Sequence, residues 1–207
     1  LYPLTGEQIF GWRMLLTVPI MTILIVVWGE WNRVSEIIER LKIEPELWIV
    51  LPLSSILLGI QLWLFMWASL NYKALEVSIG YFMLPLTMLL AGRLIYQDRL
   101  SGFQILAALS ALSGVCHELY QAGGFSWASL LVAIGYPLYF ILRRTARTDH
   151  LGGLWFDMSI TLPAAYWLAF SSGDLMLETF SERPLLFWLV PGLGVISALA
   201  LASYVLS

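Results

Sequence analysis

Leu47-Trp48-Ile49-Val50-Leu51-Pro52-Leu53-Ser54-Ser55-Ile56-Leu57-Leu58-Gly59-Ile60-Gln61-Leu62-Trp63-Leu64-Phe65-Met66-Trp67-Ala68-Ser69-Leu70 runs from end to end without a charged side chain. A helix needs roughly 20 predominantly apolar residues to cross the ~30 Å hydrocarbon core of a bilayer, so this stretch reads as a transmembrane span. The rest of the chain agrees with it: 59% of residues are hydrophobic, 12% are charged and the mean hydropathy is +0.80. A soluble domain is nearer half apolar and a quarter charged. The single cysteine, Cys116, and the net charge of −3 exclude a disulfide scaffold and a basic nucleic-acid binder. The expected fold is all-α, a polytopic transmembrane helix bundle with the lipid bilayer as its solvent.

Runs of the required length occur near Ile9 to Trp28, Leu47 to Leu70, Leu75 to Tyr96, Phe103 to Tyr120, Phe125 to Leu142, Leu154 to Ser171 and Leu185 to Leu206, which are spans one to seven. Between the first two, Val34, Ile37, Ile38 and Leu41 fall at helical spacing among Glu36, Glu39, Arg40 and Lys42. This segment reads either as an amphipathic helix on the membrane surface or as a solvated linker. Arg33, Arg40, Lys42, Arg93, Arg99, Arg143, Arg144 and Arg147 lie on one side of the membrane, and Arg13, Lys73 and Arg183 on the other. Basic residues are retained in the cytoplasm, so span one enters from outside. With no signal peptide and no methionine at Leu1, this orientation suggests that a helix precedes span one in the intact protein.

Trp12-Arg13-Met14-Leu15-Leu16-Thr17-Val18-Pro19 in span one lines up with Phe156-Asp157-Met158-Ser159-Ile160-Thr161-Leu162-Pro163 in span six. Two similar spans, five helices apart and crossing in opposite senses, are what an inverted duplication of a five-helix unit produces. The expectation is a ten-span protein of two repeats, with 1–121 as the remainder of the first and 125–207 as the start of the second. Pro19, Pro52, Pro85, Pro137, Pro163 and Pro191 put a proline in six of the seven spans. Each removes a backbone donor, and helices bent this often suit a bundle around a central path.

Polar groups inside the spans are the candidates for function, because a charge at the centre of a membrane helix costs roughly 2.5–3.5 kcal/mol on insertion scales. Gln61 stands near the middle of span two and reads either as a structural bond to a neighbouring helix or as a substrate contact. Trp67 and Asn71 follow on the same side and could share one wall with it, with an interfacial belt position as the alternative for Trp67. Arg13 lies about one turn into span one and Asp157 is placed equivalently from the other face, so the two are substrate candidates for an amphoteric molecule, with snorkelling or interhelical pairing as the alternatives. In span three, Glu76 precedes Gly80, Tyr81 and Pro85; Gly80 and Pro85 let the helix bend, and Glu76 is the candidate for proton coupling. Arg93, Arg99, Arg143, Arg144 and Arg147 read as topology determinants against anionic lipid. Ala107 with Ala111 and Ser110 with Gly114 mark a helix-packing face in span four. No nucleophile elbow, phosphate loop, zinc motif or metal-ligand cluster is present, so no enzyme, catalytic residue, metal or cofactor is expected.

The run Leu75-Glu76-Val77-Ser78-Ile79-Gly80-Tyr81-Phe82 with Pro85-Leu86, then Tyr96-Gln97-Asp98-Arg99-Leu100 and Gly114-Val115, resembles the RarD branch of the EamA transporters in the drug/metabolite transporter superfamily. Gly11-Trp12-Arg13 fits the family's second helix. The resemblance covers almost the whole chain, as helices two to eight of ten. It implies a multi-pass inner-membrane permease of a Gram-negative bacterium, built from two inverted five-helix repeats, of a family described as chloramphenicol-sensitive. Arg13, Glu76, Gly80, Tyr81 and Pro85 match the family pattern. Leu84 stands where such proteins place an asparagine, Gln61-Leu62 where they have Asn-Trp, and Gln97-Asp98-Arg99 where they have Gly-Glu-Arg, so the polar lining of the site differs. The expected activity is alternating-access transport of a small polar or amphoteric metabolite or drug, proton-coupled through Glu76. The substrate site would be made of Arg13, Gln61, Trp67, Asn71, Tyr81 and Asp157. A non-transporting seven-span sensor or receptor is the alternative, and a homodimer is left open.

Overall fold

The computed structural model describes residues 5–170 and 186–206, and these form eight helices with no strand. They are α1 (Gly6–Val27), α2 (Trp31–Ile43), α3 (Leu47–Leu70), α4 (Ala74–Ile95), α5 (Gly102–Ala122), α6 (Trp127–Thr145), α7 (Leu151–Phe170) and α8 (Leu186–Leu206). Four of them, α1, α3, α4 and α5, are long and apolar enough by length and composition to cross a membrane. Helices α6, α7 and α8 pack directly on these. Ser171 and Leu185, which bound two of the expected spans, and Arg183, counted on the less basic side, lie outside the described residues.

Local chemistry explains several of the helix ends. Thr5 and Ser101 each accept a hydrogen bond from the backbone N–H of a glutamine three residues on, and that glutamine's side chain reaches back, which closes a capping box at the start of α1 and of α5. Gly123 ends α5 in the left-handed region at φ 79°. Of the two readings of the segment after span one, the helix is the one found: α2 buries Val34 and Ile37 and exposes Arg33, Glu36, Glu39 and Lys42. Val34 joins the main core and Ile37 packs with Leu47 and Leu51 of α3.

The core runs between α1, α3, α6 and α7 through Phe10, Met14, Met21, Leu58, Tyr139 and Met158. Helix α1 packs on α7; α8 packs on α1 and α3 packs on α7. Helix α5 packs chiefly on α4 and leaves most of its surface outside, with Phe103 87% exposed, as a lipid-facing helix does. Ala107, Ala111, Ser110 and Gly114 are all exposed, with Ala111 and Gly114 lining a groove opposite Ile79 and Phe82 of α4.

Helix α4 does not unwind at Gly80 or Pro85; it is helical throughout, and Pro85 is exposed. Gly80 also has a packing role. A Cβ there would meet the Ser129 carbonyl oxygen and the Val132 Cβ at 2.7 Å, so the glycine lets α4 and α6 approach backbone to backbone.

Candidate functional site

A cavity of about 390 Å³ lies between the helices. Its walls are Leu58 and Leu62 of α3, Tyr81 and Leu84 of α4, Tyr136, Tyr139 and Phe140 of α6, Leu154 of α7 and Leu201 of α8. It extends to Arg143 and the exposed Asp149 at the arginine-rich end. Tyr81 belongs to the expected site; α6 supplies more of the lining than any other helix and had not been expected to contribute.

At the arginine-rich end, a buried polar network ties three helices together. Asp157 of α7, 1% exposed, accepts hydrogen bonds from Ser54 (2.5 Å) and Ser55 (3.4 Å) of α3 and from Tyr139 of α6 (3.0 Å). Arg143 donates to the Tyr139 hydroxyl at 2.6 Å and faces the Asp157 carboxylate at 3.7 Å. Its remaining donors reach the carbonyls of Thr148, at 3.0 Å from Nε, and His150, at 2.6 Å. Arg143 is therefore no lipid-facing topology residue: it is 4% exposed, and the α6–α7 loop folds back to satisfy it. Asp157, expected as a substrate contact, has both carboxylate oxygens occupied by protein donors. Arg144, expected against lipid, sits over the Tyr96 ring at 4.0 Å from its centroid.

Roughly two to two and a half turns in from the opposite ends of their helices stand Arg13, Gln61, Tyr81 and Tyr136. The Tyr81 and Tyr136 hydroxyls are 3.3 Å apart and their rings 5.7 Å. Arg13 is half-buried; its Nε donates to Ser197 of α8 at 2.8 Å, and Tyr136 and Tyr81 are within its electrostatic reach. Gln61, 1% exposed, donates to the Leu131 carbonyl of α6 at 2.8 Å, and its Oε1 has no partner among the described residues. Gly135 makes this bond feasible, because a Cβ there would collide with the Gln61 amide.

Beyond this layer three indoles pack together. Trp67 stacks on Trp63 at 5.8 Å and leans on Trp127 of α6 at 5.4 Å. Asn71, expected on the same wall, is exposed and caps α3 by donating to the Trp67 carbonyl at 2.8 Å, so it leaves the group. Glu76, half-buried, accepts from Lys73 and from Ser126 ahead of α6, while Ser129 donates to its carbonyl at 2.6 Å. It fastens α4 to the start of α6, away from the cavity.

Outside the spans, burial, with Arg33 and Arg143 nearby, holds the His150 imidazole below its ordinary range. The Glu44 carboxyl is held low by the hydrogen bond from Arg40. Among the described residues no group of three or more histidine, cysteine or acidic side chains is placed to hold a metal.

Arg13, Gln61 and Tyr81 stand out in the sequence because charge and amide are rare in spans and because of the family resemblance; of the three, Tyr81 lines the cavity. Sequence reasoning missed Tyr136, Tyr139 and Ser197, which in an apolar helix look like packing residues.

No protein-family model matches the chain, and no solved structure matches it. Among curated proteins it is 41% identical to the chloramphenicol-sensitive protein RarD of Pseudomonas aeruginosa, with all of this chain aligned to 69% of that protein. An uncharacterized transporter of Pasteurella multocida is 37% identical over the whole chain and 70% of its own length. Protein RarD of Escherichia coli is 24% identical over 99% of the chain and 68% of its length. With its all-helical apolar bundle, the chain belongs to the RarD family of multi-pass membrane transporters.

Proposed function

We propose that this protein is an inner-membrane permease that moves a small polar or amphoteric metabolite or drug by alternating access. The observation that carries the reading is the cavity, which reaches from the Tyr81–Tyr136 pair to Arg143 and Asp149 while Trp63, Trp67 and Trp127 pack together at the far end. A path accessible from one side and sealed at the other is one half of an alternating cycle. Two inverted repeats, 1–121 and 125–207, give the other half by exchanging conformations. In support, Arg13 of α1 bonds Ser197 of α8 while Asp157 of α7 bonds Ser54 of α3, and the repeat that aligns Arg13 with Asp157 aligns Ser54 with Ser197 to within a single residue. In this cycle Asp157 is a fastener between α3, α6 and α7. Arg13, Gln61 and Tyr81 form the substrate region, with Trp67 as its lid. Glu76 is the coupling carboxylate: protonation would release Lys73 and Ser126 and loosen α4 from α6 at the sealed end.

The test is a labelling scan in a Cys116→Ser background, with cysteines at Leu62 and Leu84 and a lipid-facing control at Phe103. In vesicles of both orientations, the first two should react with a membrane-impermeant maleimide from the arginine-rich side, and substrate turnover should expose them to the other side. Protection of both positions from either face would overturn the permease reading.

A further inference from the structure

Arg13 is a cation inside the bundle for which no carboxylate supplies a partner among the described residues. Snorkelling would carry its head toward the end of α1. Instead Nε is anchored on Ser197, and Ser197 lies one turn along α8 from Leu201, which lines the cavity. The guanidinium is thereby held about one helical turn from a lining residue, with Tyr136 and Tyr81, which also line the cavity, within its electrostatic reach. With Nε occupied, the two Nη groups remain as a planar fork, the arrangement that accepts a carboxylate bidentately. The tyrosine hydroxyls bond one another, and a pair of hydroxyls so linked has one O–H left to donate.

The remaining walls decide the rest of the ligand. Leu58, Leu62, Leu84 and Phe140 give an apolar chamber of about 390 Å³. The one acid in the network at its other end, Asp157, is already paired with Arg143. The other acid on the lining, Asp149, is exposed at the mouth, so a second fixed charge held inside the apolar chamber would find no free partner.

We propose that Arg13, held by Ser197 and joined by Tyr81 and Tyr136, is an anion-binding site that takes the carboxylate of a monocarboxylate with an apolar body. This rests on the permease reading for its place in transport, and it sharpens the substrate class from amphoteric to singly anionic. Ser197 acts as a positioning residue through Arg13.

The experiment is equilibrium binding to the purified full chain in lipid nanodiscs by calorimetry, with 4-phenylbutyrate, its amide and 4-phenylbutylamine as probes. The carboxylate should bind at least about tenfold more tightly than the amide or the amine, since charged hydrogen bonds contribute on that scale. Arg13→Gln should abolish the preference for the carboxylate, and Arg13→Lys should retain part of it. Ser197→Ala should weaken carboxylate binding several-fold, with Ser197→Thr restoring it and amide binding unmoved. If Arg13→Gln does not fold, Tyr136→Phe and Ser197→Ala carry the test. Equal binding of acid and amine, or undiminished carboxylate preference in the variants, overturns the site. Failure of the labelling scan with this preference intact overturns the permease and leaves the site standing.

Discussion

Asp157→Ala should destabilise the protein through the buried network at the arginine-rich end, and the structure sets the size of the effect. The substitution removes the acceptor of Ser54, Ser55 and Tyr139 and the counter-charge of Arg143. Intramembrane hydrogen bonds average about 0.6 kcal/mol, so three of them would sum to about 2 kcal/mol. Leaving one partner of a buried ion pair alone costs about 3–5 kcal/mol. Arg143 keeps the Thr148 and His150 carbonyls and the Tyr139 hydroxyl, which places the expected loss near the lower figure of that range, about 3 kcal/mol. For a chain of this size that is a fall in Tm of about 6–12 °C. Thermal unfolding in one detergent, followed by fluorescence, reads it. The double variant Asp157→Leu with Arg143→Met should recover part of the loss, because no charge is then stranded. A fall below about 2 °C, or a double variant worse than the two single effects together, would refute the reasoning that these groups act as one unit.

Three other outcomes are expected. Glu76→Gln should abolish uptake or efflux driven by a pH gradient while leaving substrate exchange intact in proteoliposomes; unchanged gradient-driven flux removes the coupling role. Gly135→Ala should displace the Gln61 amide from the Leu131 carbonyl and cost about 1–3 kcal/mol, read as a lower Tm, by forcing a methyl group into an occupied position. The His150 imidazole is held low in the fold, so the unfolded chain binds the proton more readily. Its contribution to stability is complete above the unfolded value of about 6.5 and declines as pH falls through it. Tm should drop between pH 8 and pH 5.5 more steeply in the wild type than in His150→Asn.

The helices were legible because hydrocarbon thickness leaves its length in the sequence. Their ends were less so: α7 starts at Leu151 rather than Leu154, and α6 continues to Thr145 beyond the expected Leu142, through Arg143. A charged residue in the last turn of a span reads as the membrane boundary, and only the fold shows that the loop carbonyls return to bury it. Arg147, at φ 53°, makes that reversal with no glycine to announce it. Asp157 was legible as an expensive residue, yet its donors are serines and a tyrosine whose ordinary use in a span is indistinguishable from packing. Ser197 carries even less signal, since nothing marks one serine of an apolar helix as facing an arginine seven helices earlier. The anion site was thus half legible: the charge stands out, and its surroundings do not.

The indole trio of Trp63, Trp67 and Trp127 offers an optical consequence. Chromophores held at centroid separations of 5.8 and 5.4 Å couple their excited states, and the coupling depends on mutual angle as well as distance. Trp127 belongs to α6 and the other two to α3, so parting of these helices at the sealed end would collapse an exciton couplet in the ultraviolet circular dichroism. Were that end to open as the proposed cycle requires, the unlabelled protein would carry its own spectroscopic record of the event, which can be followed in time without a dye.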